Sequence, residues 1–393
     1  MSKSSPSNQT LKVVLIHPPT SFVRFGVFRA LSRRGFDVEI WITNAKQSKI
    51  SLDAQDLFFN VKKISGPALW LNSDQYYSFN WRILPMLFKY KPDVVITLGM
   101  SFNALFAMFY TKLMHRGLVI WSGGTNLSEL GISKAKQLWR KSLVHLCDCC
   151  LAYGNASANY LETLGAKTEC IFIPYNVVDN TWWIEHAEQV TVERQEKINC
   201  IFVGQLIKRK RLDLILNLAR LCLDNQLPVH FTIVGSGVEK GRIIQRANKL
   251  GLTNIVFYDH QSPGELVRLY CSADVFLLPS QDIWGLVVNE AMCCGVIPIV
   301  SPNVECSVDL IDHGKNGFVV DFSNPGEVLK VLTDLLNDET MRSDMRKNAT
   351  FTIMKYSPDY WASQAEKAIR FASLNQARHD LRSEPERPID KTR

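Results

Sequence analysis

Residues 279–301 read PSQDIWGLVVNEAMCCGVIPIVS, and their pattern is loop, helix, strand, entered from the apolar run at 275–278. That run and the one at 296–300 have the length of buried strands, and the helical spacing that begins near Leu286 fills the interval. Two strands joined by a helix lie parallel in one sheet whose faces are covered by helices. The loop after the first strand then sits at a helix N-terminus, where backbone N–H groups lack helical partners. Asp282 stands in that loop, and Glu290 follows eight positions later, within the helix. A carboxylate and free N–H groups at one helix end suit an anionic ligand rich in hydroxyls. Taken alone, the same two carboxylates read equally well as solvated surface charges.

The alternation continues outward from this stretch. Short β-rich runs at 13–17, 38–43, 94–98, 119–121, 151–153 and 171–174 alternate with helical periods at 22–34, 75–90 and 134–145. The pattern starts afresh with runs at 200–203, 231–234, 255–258, 275–278, 296–300 and 318–320. Two Rossmann-like, doubly wound α/β domains follow. The 393 residues are too many for one ordinary core and sufficient for two of about 150–200 residues. The N-terminal domain is placed at 1–175 and a linker, anchored by Trp182 and Trp183, at 176–198. The C-terminal domain is placed at 199–356 and an amphipathic helix at 357–375, with disorder expected in the charged, proline-containing tail 376–393. Two such domains are expected to face a central cleft at the C-terminal ends of both sheets, where open α/β folds bind ligands.

Composition narrows the class. With 46% hydrophobic and 21% charged residues and no low-complexity tract, the chain reads as soluble and globular. The polar first ten residues run straight into a strand, and no apolar run approaches the roughly 20 residues of a spanning helix. A cytoplasmic protein is expected. Its ten cysteines include Cys147, Cys149, Cys150, Cys293 and Cys294, without the paired spacing of a metal site, and read as core thiols of a reducing compartment. The net charge of +7 calls for a negatively charged partner. No nucleic-acid motif or aromatic–basic interleaving accompanies it, so substrate phosphates or the anionic inner face of a membrane, touched peripherally, fit better than nucleic acid.

The stretch 279–301, with NGFVVD at 316–321, FVGQLIKRKRLDLIL at 202–216 and IVGSG at 233–237, resembles glycosyltransferase family 4, the retaining glycosyl transferases group 1. The motifs follow the family's order across most of 199–375, whereas 11–175 match in pattern only. The resemblance implies the GT-B fold, with the last helix crossing back to the N-terminal domain. It also implies transfer of a sugar from a nucleoside-diphosphate sugar to a hydroxyl acceptor, in polysaccharide or glycolipid biosynthesis. The nucleotide sugar is a co-substrate, and no D-x-D occurs, so no metal or other cofactor is expected.

The family's acidic-x7-Glu motif falls on Asp282 and Glu290. This implies that Asp282 orients the sugar, that Glu290 takes the ribose hydroxyls and is directed away from the core, and that Ile283, Trp284, Gly285, Leu286 and Val287 hold the diphosphate. After the strand-ending Gly204, Lys210 keeps a phosphate-directed lysine, while Gln205 replaces an arginine and Arg211 a glycine. Stabilisation of the leaving group thereby falls to Lys210, the catalytic partner of Asp282. Gly235, Ser236 and Gly237 close the next strand and should let the backbone approach a ligand, and His260 lies in the turn that frames the base. Asp282 replaces the common glutamate. The N-terminal histidine of many members is also absent, which leaves Ser122, Gly123, Gly124 and Thr125 as an acceptor-side loop with flexible glycines. The loop 17–26, with Phe22, Arg24 and Phe25, should face a carbohydrate or lipid-linked acceptor. Two other classes stay open: a GT-B epimerase or phosphorylase, for which no pyridoxal-phosphate lysine motif is found, and an inactive homologue that binds nucleotide sugar as a sensor or partner subunit.

Overall fold

The computed structural model describes residues 10–18, 24–44, 59–66, 68–70, 76–192 and 197–383. The chain divides into two compact units, one made of the chain up to Tyr175 together with the segment from Asp359, the other of Asn176–Pro358.

The first unit begins β1 (Lys12–His17), α1 (Phe25–Ser32), β2 (Asp37–Thr43), β3 (Asn60–Ile64), β4 (Ala68–Trp70) and β5 (Tyr76–Ser78). It continues α2 (Ile83–Tyr90), β6 (Val94–Leu98), α3 (Phe102–Leu113), β7 (Gly117–Ser122), α4 (Lys134–Leu146), β8 (Cys149–Ala152), α5 (Asn155–Thr163) and β9 (Ile171–Phe172). Among the described residues a seven-stranded sheet runs β3-β2-β1-β6-β7-β8-β9, with every pairing parallel. Its central strands are near-continuous buried apolar runs, as strands covered on both faces must be. Helices α2, α3, α4 and α5 share one face: Ile83, Leu87, Ala107 and Tyr110 pack with Ile16 and Val95, and Ala104 packs with Val144 and Leu161.

The second unit holds α6 (Asn180–Glu188), β10 (Ile198–Val203), α7 (Leu212–Asp224), β11 (Val229–Val234), α8 (Lys240–Lys249), β12 (Ile255–Tyr258) and α9 (Pro263–Cys271). There follow β13 (Val275–Leu278), α10 (Leu286–Cys293), β14 (Ile297–Val300), α11 (Ser307–Leu310), β15 (Phe318–Val319), α12 (Pro325–Asn337) and α13 (Glu339–Ile353). Its parallel strands are ordered β12-β11-β10-β13-β14-β15. The chain therefore moves outward from β10 to β12 and then returns to pair β13 beside β10. Strand order reverses there, and the loops leaving β10 and β13 splay apart to form the position at which such sheets bind ligands.

The last helix, α14 (Pro358–Ser383), belongs to the first unit from Asp359 onward. Trp361, Ala365, Ala368 and Ala372 recur at helical spacing and are fully buried. Alanine permits close approach: a Cβ built on Gly117 would lie 3.0 Å from that of Ala372. Trp361 packs on Trp121 at a ring separation of 4.8 Å.

Four expectations change. The helix foreseen at 75–90 starts at Ile83, after β5, because Pro85 fits a first turn and would break a helix begun at 75. The irregular linker at 176–198 contains α6, tied down by Asn180 Nδ2, which donates to Ile353 O (2.6 Å) and Tyr356 O (3.0 Å), and by the buried Trp183. Trp182 is only half-buried and stacks on His186. The final helix continues to Ser383, past the point at which disorder was expected, while 384–393 and residues 19–23, including Phe22, lie outside the described residues.

Candidate functional site

The two loops at the reversal point meet through side chains. Residues Lys208–Lys210 form a single 3-10 turn, from which Lys210 Nζ reaches Asp282 Oδ2 at 2.5 Å. Ser280 Oγ donates to the same oxygen at 2.5 Å. Arg209 Nη1 donates to Asp282 Oδ1 at 2.6 Å and to Gln281 O at 2.8 Å. The backbone of Asp282 is fixed as well, its N–H donating to Asn303 O (3.1 Å) and its C=O accepting from Glu305 N (3.0 Å). Burial alone would raise the pKa of Asp282, but the charge and hydrogen bond of Lys210, then Ser280 and Arg209, outweigh it and hold the carboxyl below its ordinary value. Two cations against one carboxylate leave a positive balance. Gly285, with φ of 85°, turns the chain into α10, and the first N–H groups of that helix, including those of Leu286 and Val287, have no intrahelical acceptor. Such an arrangement suits an anion.

Glu290 behaves differently from expectation. It is 6% exposed and turned into the core, where its Oε2 accepts from Tyr270 Oη at 3.2 Å. Burial pushes its pKa up to about 7, against the opposing pull of the tyrosine hydroxyl. Trp284 is also a packing residue: it is 3% exposed and its Nε1 donates to Asn289 Oδ1 at 2.9 Å. Ile283 beside it is exposed.

The glycines after β11 are required by close packing of the backbone. A Cβ on Gly235 would collide with Gly204 O, and one on Gly237 with Leu206 O. The same loops are laced together by Leu206 N to Ser236 O and Glu239 N to Leu206 O, both at 2.9 Å. Gln205 and Ser236 are exposed, and so is His260 in the turn after β12. Arg211 holds a left-handed conformation, φ 50° and ψ 40°, at the start of α7, which is why a glycine would suit that position.

In the first unit Ser122 ends β7, and Gly123, Gly124 and Thr125 follow it in a packed loop, not a flexible one. Gly123 abuts the ring of Tyr153 and Gly124 that of Tyr160. Ser122 O accepts from Tyr153 N (3.0 Å) and Ser157 Oγ (2.9 Å), while Thr125 and Ser128 exchange hydrogen bonds. Next to it at the ends of β1 and β7, His17 lies buried against Trp121 and Phe28, its Nδ1–H donating to Pro18 O at 2.7 Å. Burial, then the charge of Arg24, push its pKa down to about 3, so the ring is neutral. Arg24 lies over Trp121 and Tyr153 and donates to Tyr153 Oη at 3.1 Å. Among the described residues no group of three or more His, Cys, Asp or Glu is placed to hold a metal.

Sequence reasoning missed Arg209, Ser280 and Tyr270. Arg209 was hidden in a basic run whose spacing does not say which side chain turns inward. Ser280 stands two residues before Asp282 and could have been read as its neighbour in the same loop.

Residues 184–351 match the family model of glycosyl transferases group 1. An uncharacterized 41.2 kDa protein in the cps region of Klebsiella pneumoniae is 28% identical over 47% of this chain and 51% of its own length. A D-inositol 3-phosphate glycosyltransferase of Corynebacterium urealyticum is 30% identical over 43% of this chain and 41% of its own. The chain spans about half the length of these curated relatives. The solved structure of Anabaena HepE in complex with UDP matches with a TM-score of 0.73 at 15% identity, covering 92% of this chain and 100% of that one. At that identity the likeness shows the fold, and the two parallel-sheet units are of the GT-B class.

Proposed function

We propose that this protein, whose residues 184–351 are of the glycosyl transferases group 1 type, is a retaining glycosyltransferase. It moves a sugar from a nucleoside-diphosphate sugar to the hydroxyl of a carbohydrate or lipid-linked acceptor, in polysaccharide or glycolipid biosynthesis. The observation that carries this reading is the buried Asp282 held by Lys210 and Arg209 beside the first turn of α10.

Both cations rest on Asp282. A diphosphate brings them more negative charge and releases the Asp282 carboxylate to accept from sugar hydroxyls. As the glycosidic bond stretches, charge gathers on the leaving phosphate, and Lys210, Arg209 and the N–H groups of Leu286 and Val287 stabilise it where it grows. Arg209 supplies the second positive charge that Gln205 lacks. Glu290 would exchange its Tyr270 bond for the ribose diol, and the loop of Ser122, Gly123, Gly124 and Thr125 would serve the acceptor. The charge stabilisation is assigned to side chains and backbone, with no metal.

Thermal shift against a panel of UDP-, GDP- and ADP-sugars tests the donor. UDP-sugars come first because the HepE structure holds UDP. A donor at 100 times its Kd should add about 2.7 kcal/mol of stability. No shift with any member would overturn the reading. NMR of the transferred anomer tests retention, and binding with neither transfer nor hydrolysis would assign the chain to the inactive class.

A further inference from the structure

We infer that the outer face of the α2–α3–α4 layer in the first unit is a docking surface for an anionic lipid bilayer. The inference stands apart from the donor site and uses different residues.

Helix α3 shows the first sign. It buries Asn103, Ala104, Ala107, Tyr110 and Thr111 toward the sheet. Of the stripe at i, i+4, i+7 and i+11, Phe106 is half-buried against the core and Phe79, whereas Phe102, Phe109 and Leu113 face outward, where a helix facing only water carries polar residues. Phe102, Phe109 and Leu113 are 45%, 53% and 57% exposed. The neighbouring elements extend the pattern with Trp81, 55% exposed just before α2, and Leu138, 67% exposed on α4. Because α2, α3 and α4 pack on one face of the sheet, their outward sides form one layer. Large apolar side chains gathered on one exposed face mark an interaction surface.

Charge identifies the partner. Residues 79–146 contain nine lysines and arginines against two acidic residues, an excess equal to the net +7 of the whole chain. Both acids are already engaged, Asp93 with Arg116 at 2.6 Å and Glu129 with Arg140. Arg82, Lys89, Lys112, Lys134 and Lys141 are exposed, and all lie on or directly before α2, α3 and α4. A polyanion in water would meet the cations but give the phenylalanines nothing to enter, and an apolar protein surface would leave the cations unmatched. An anionic bilayer offers phosphate headgroups above hydrocarbon, and Trp81, with Arg82 5.9 Å from its ring, has the amphipathic character of an interfacial anchor. No described helix is long and apolar enough to cross a membrane, so the contact would lie on the surface.

The test is co-sedimentation of the full chain with vesicles of phosphatidylcholine alone and of phosphatidylcholine mixed with phosphatidylglycerol, at low and high salt. Binding should require phosphatidylglycerol and weaken with salt as the charges are screened. Lys134→Glu with Lys141→Glu should reduce it more than about 25-fold, at roughly fivefold for each lysine lost, and Phe109→Ser with Leu113→Ser should reduce it at unchanged charge. Lys347→Glu, a charge reversal at an exposed position of the second unit, should leave it intact. Circular dichroism melts of each variant check that loss of binding is not loss of fold. Equal binding to both vesicle types, no binding to either, or loss in the Lys347 variant alone would overturn the inference. So would a self-association abolished by Phe109→Ser, which would assign the face to a second copy.

Discussion

At Asp282 the carboxylate is shared by Lys210, Arg209 and Ser280, so substitutions around it should have separable signatures. Asp282→Asn keeps the shape and removes the charge. It should cut transfer by at least about 100-fold, in line with the loss of one preorganised polar group, while free nucleoside diphosphate binds as well or better because the two cations lose their internal competitor. Full activity in that variant, measured by steady-state kinetics, would return Asp282 to a purely structural role. Arg209→Ala should weaken nucleoside diphosphate binding by about 2 kcal/mol, the loss of a charge-assisted contact, and calorimetry showing unchanged affinity would leave Lys210 as the sole phosphate cation. Glu290 gives a pH signature. Its folded pKa of about 7 lies above the ordinary 4.5, so the folded state favours the protonated acid. The stability this gives is complete below pH 4.5 and declines as pH rises toward 7, where ionising the buried group costs on the order of 3 kcal/mol. Glu290→Gln should therefore gain stability relative to the parent between pH 5 and about 8. A difference between the two melting curves that is constant with pH would refute the assignment. The spacing of Asp282 and Glu290 was visible in the sequence, but the inward turn of Glu290 was not, because its partner Tyr270 lies in a different helix 20 residues upstream.

Elements were legible where burial is complete on both faces. Strands β10, β13 and β14 of the second sheet read as apolar runs because helices cover them, and α10 and β14 emerged from the one quoted stretch that β13 leads into. Strand β3 did not, since it pairs at the sheet edge through Asn60, Val61, Lys62, Lys63 and Ile64, a sequence whose one buried position is Ile64. The entry to α7 shows how one residue can oppose its element. Arg211 adopts a left-handed conformation that costs a side-chain-bearing residue about 1 kcal/mol, while its exposed pairing with Asp213 returns little. Arg211→Gly should accordingly stabilise the protein by about 0.5–1 kcal/mol in denaturant unfolding, the strain relieved exceeding the extra entropy of the unfolded glycine. A net loss of stability would mean that the Arg211 side chain contributes more than its geometry indicates. Gly235→Ala marks the opposite case, because its Cβ would enter the space of Gly204 O, and the loops after β10 and β11 would have to part.

At the scale of the whole chain, the last helix completes the core of the unit that the first residues began, and sequence reading anticipated this crossing without fixing the extent of α14. Periodicity showed an amphipathic helix, but the charged residues after Asn375 resembled a tail, and helix and tail cannot be told apart there by composition alone. What α14 contributes is concentrated at Trp361, which is fully buried and packs on Trp121 of β7. Around it Ala365, Ala368 and Ala372 bring the helix close to the sheet, with Cys149 Sγ donating to Ala368 O at 3.4 Å. Trp361→Ala leaves a large cavity that alanine neighbours are too small to refill, so it should cost about 3–5 kcal/mol. The loss belongs to the first unit, because every contact named here lies within it. Native-state hydrogen exchange should then show β7 and β8 losing protection by that amount while β10 and β13 keep theirs. If all four strands lose protection equally, the two units unfold as one cooperative body and the division of the core between them has no energetic meaning.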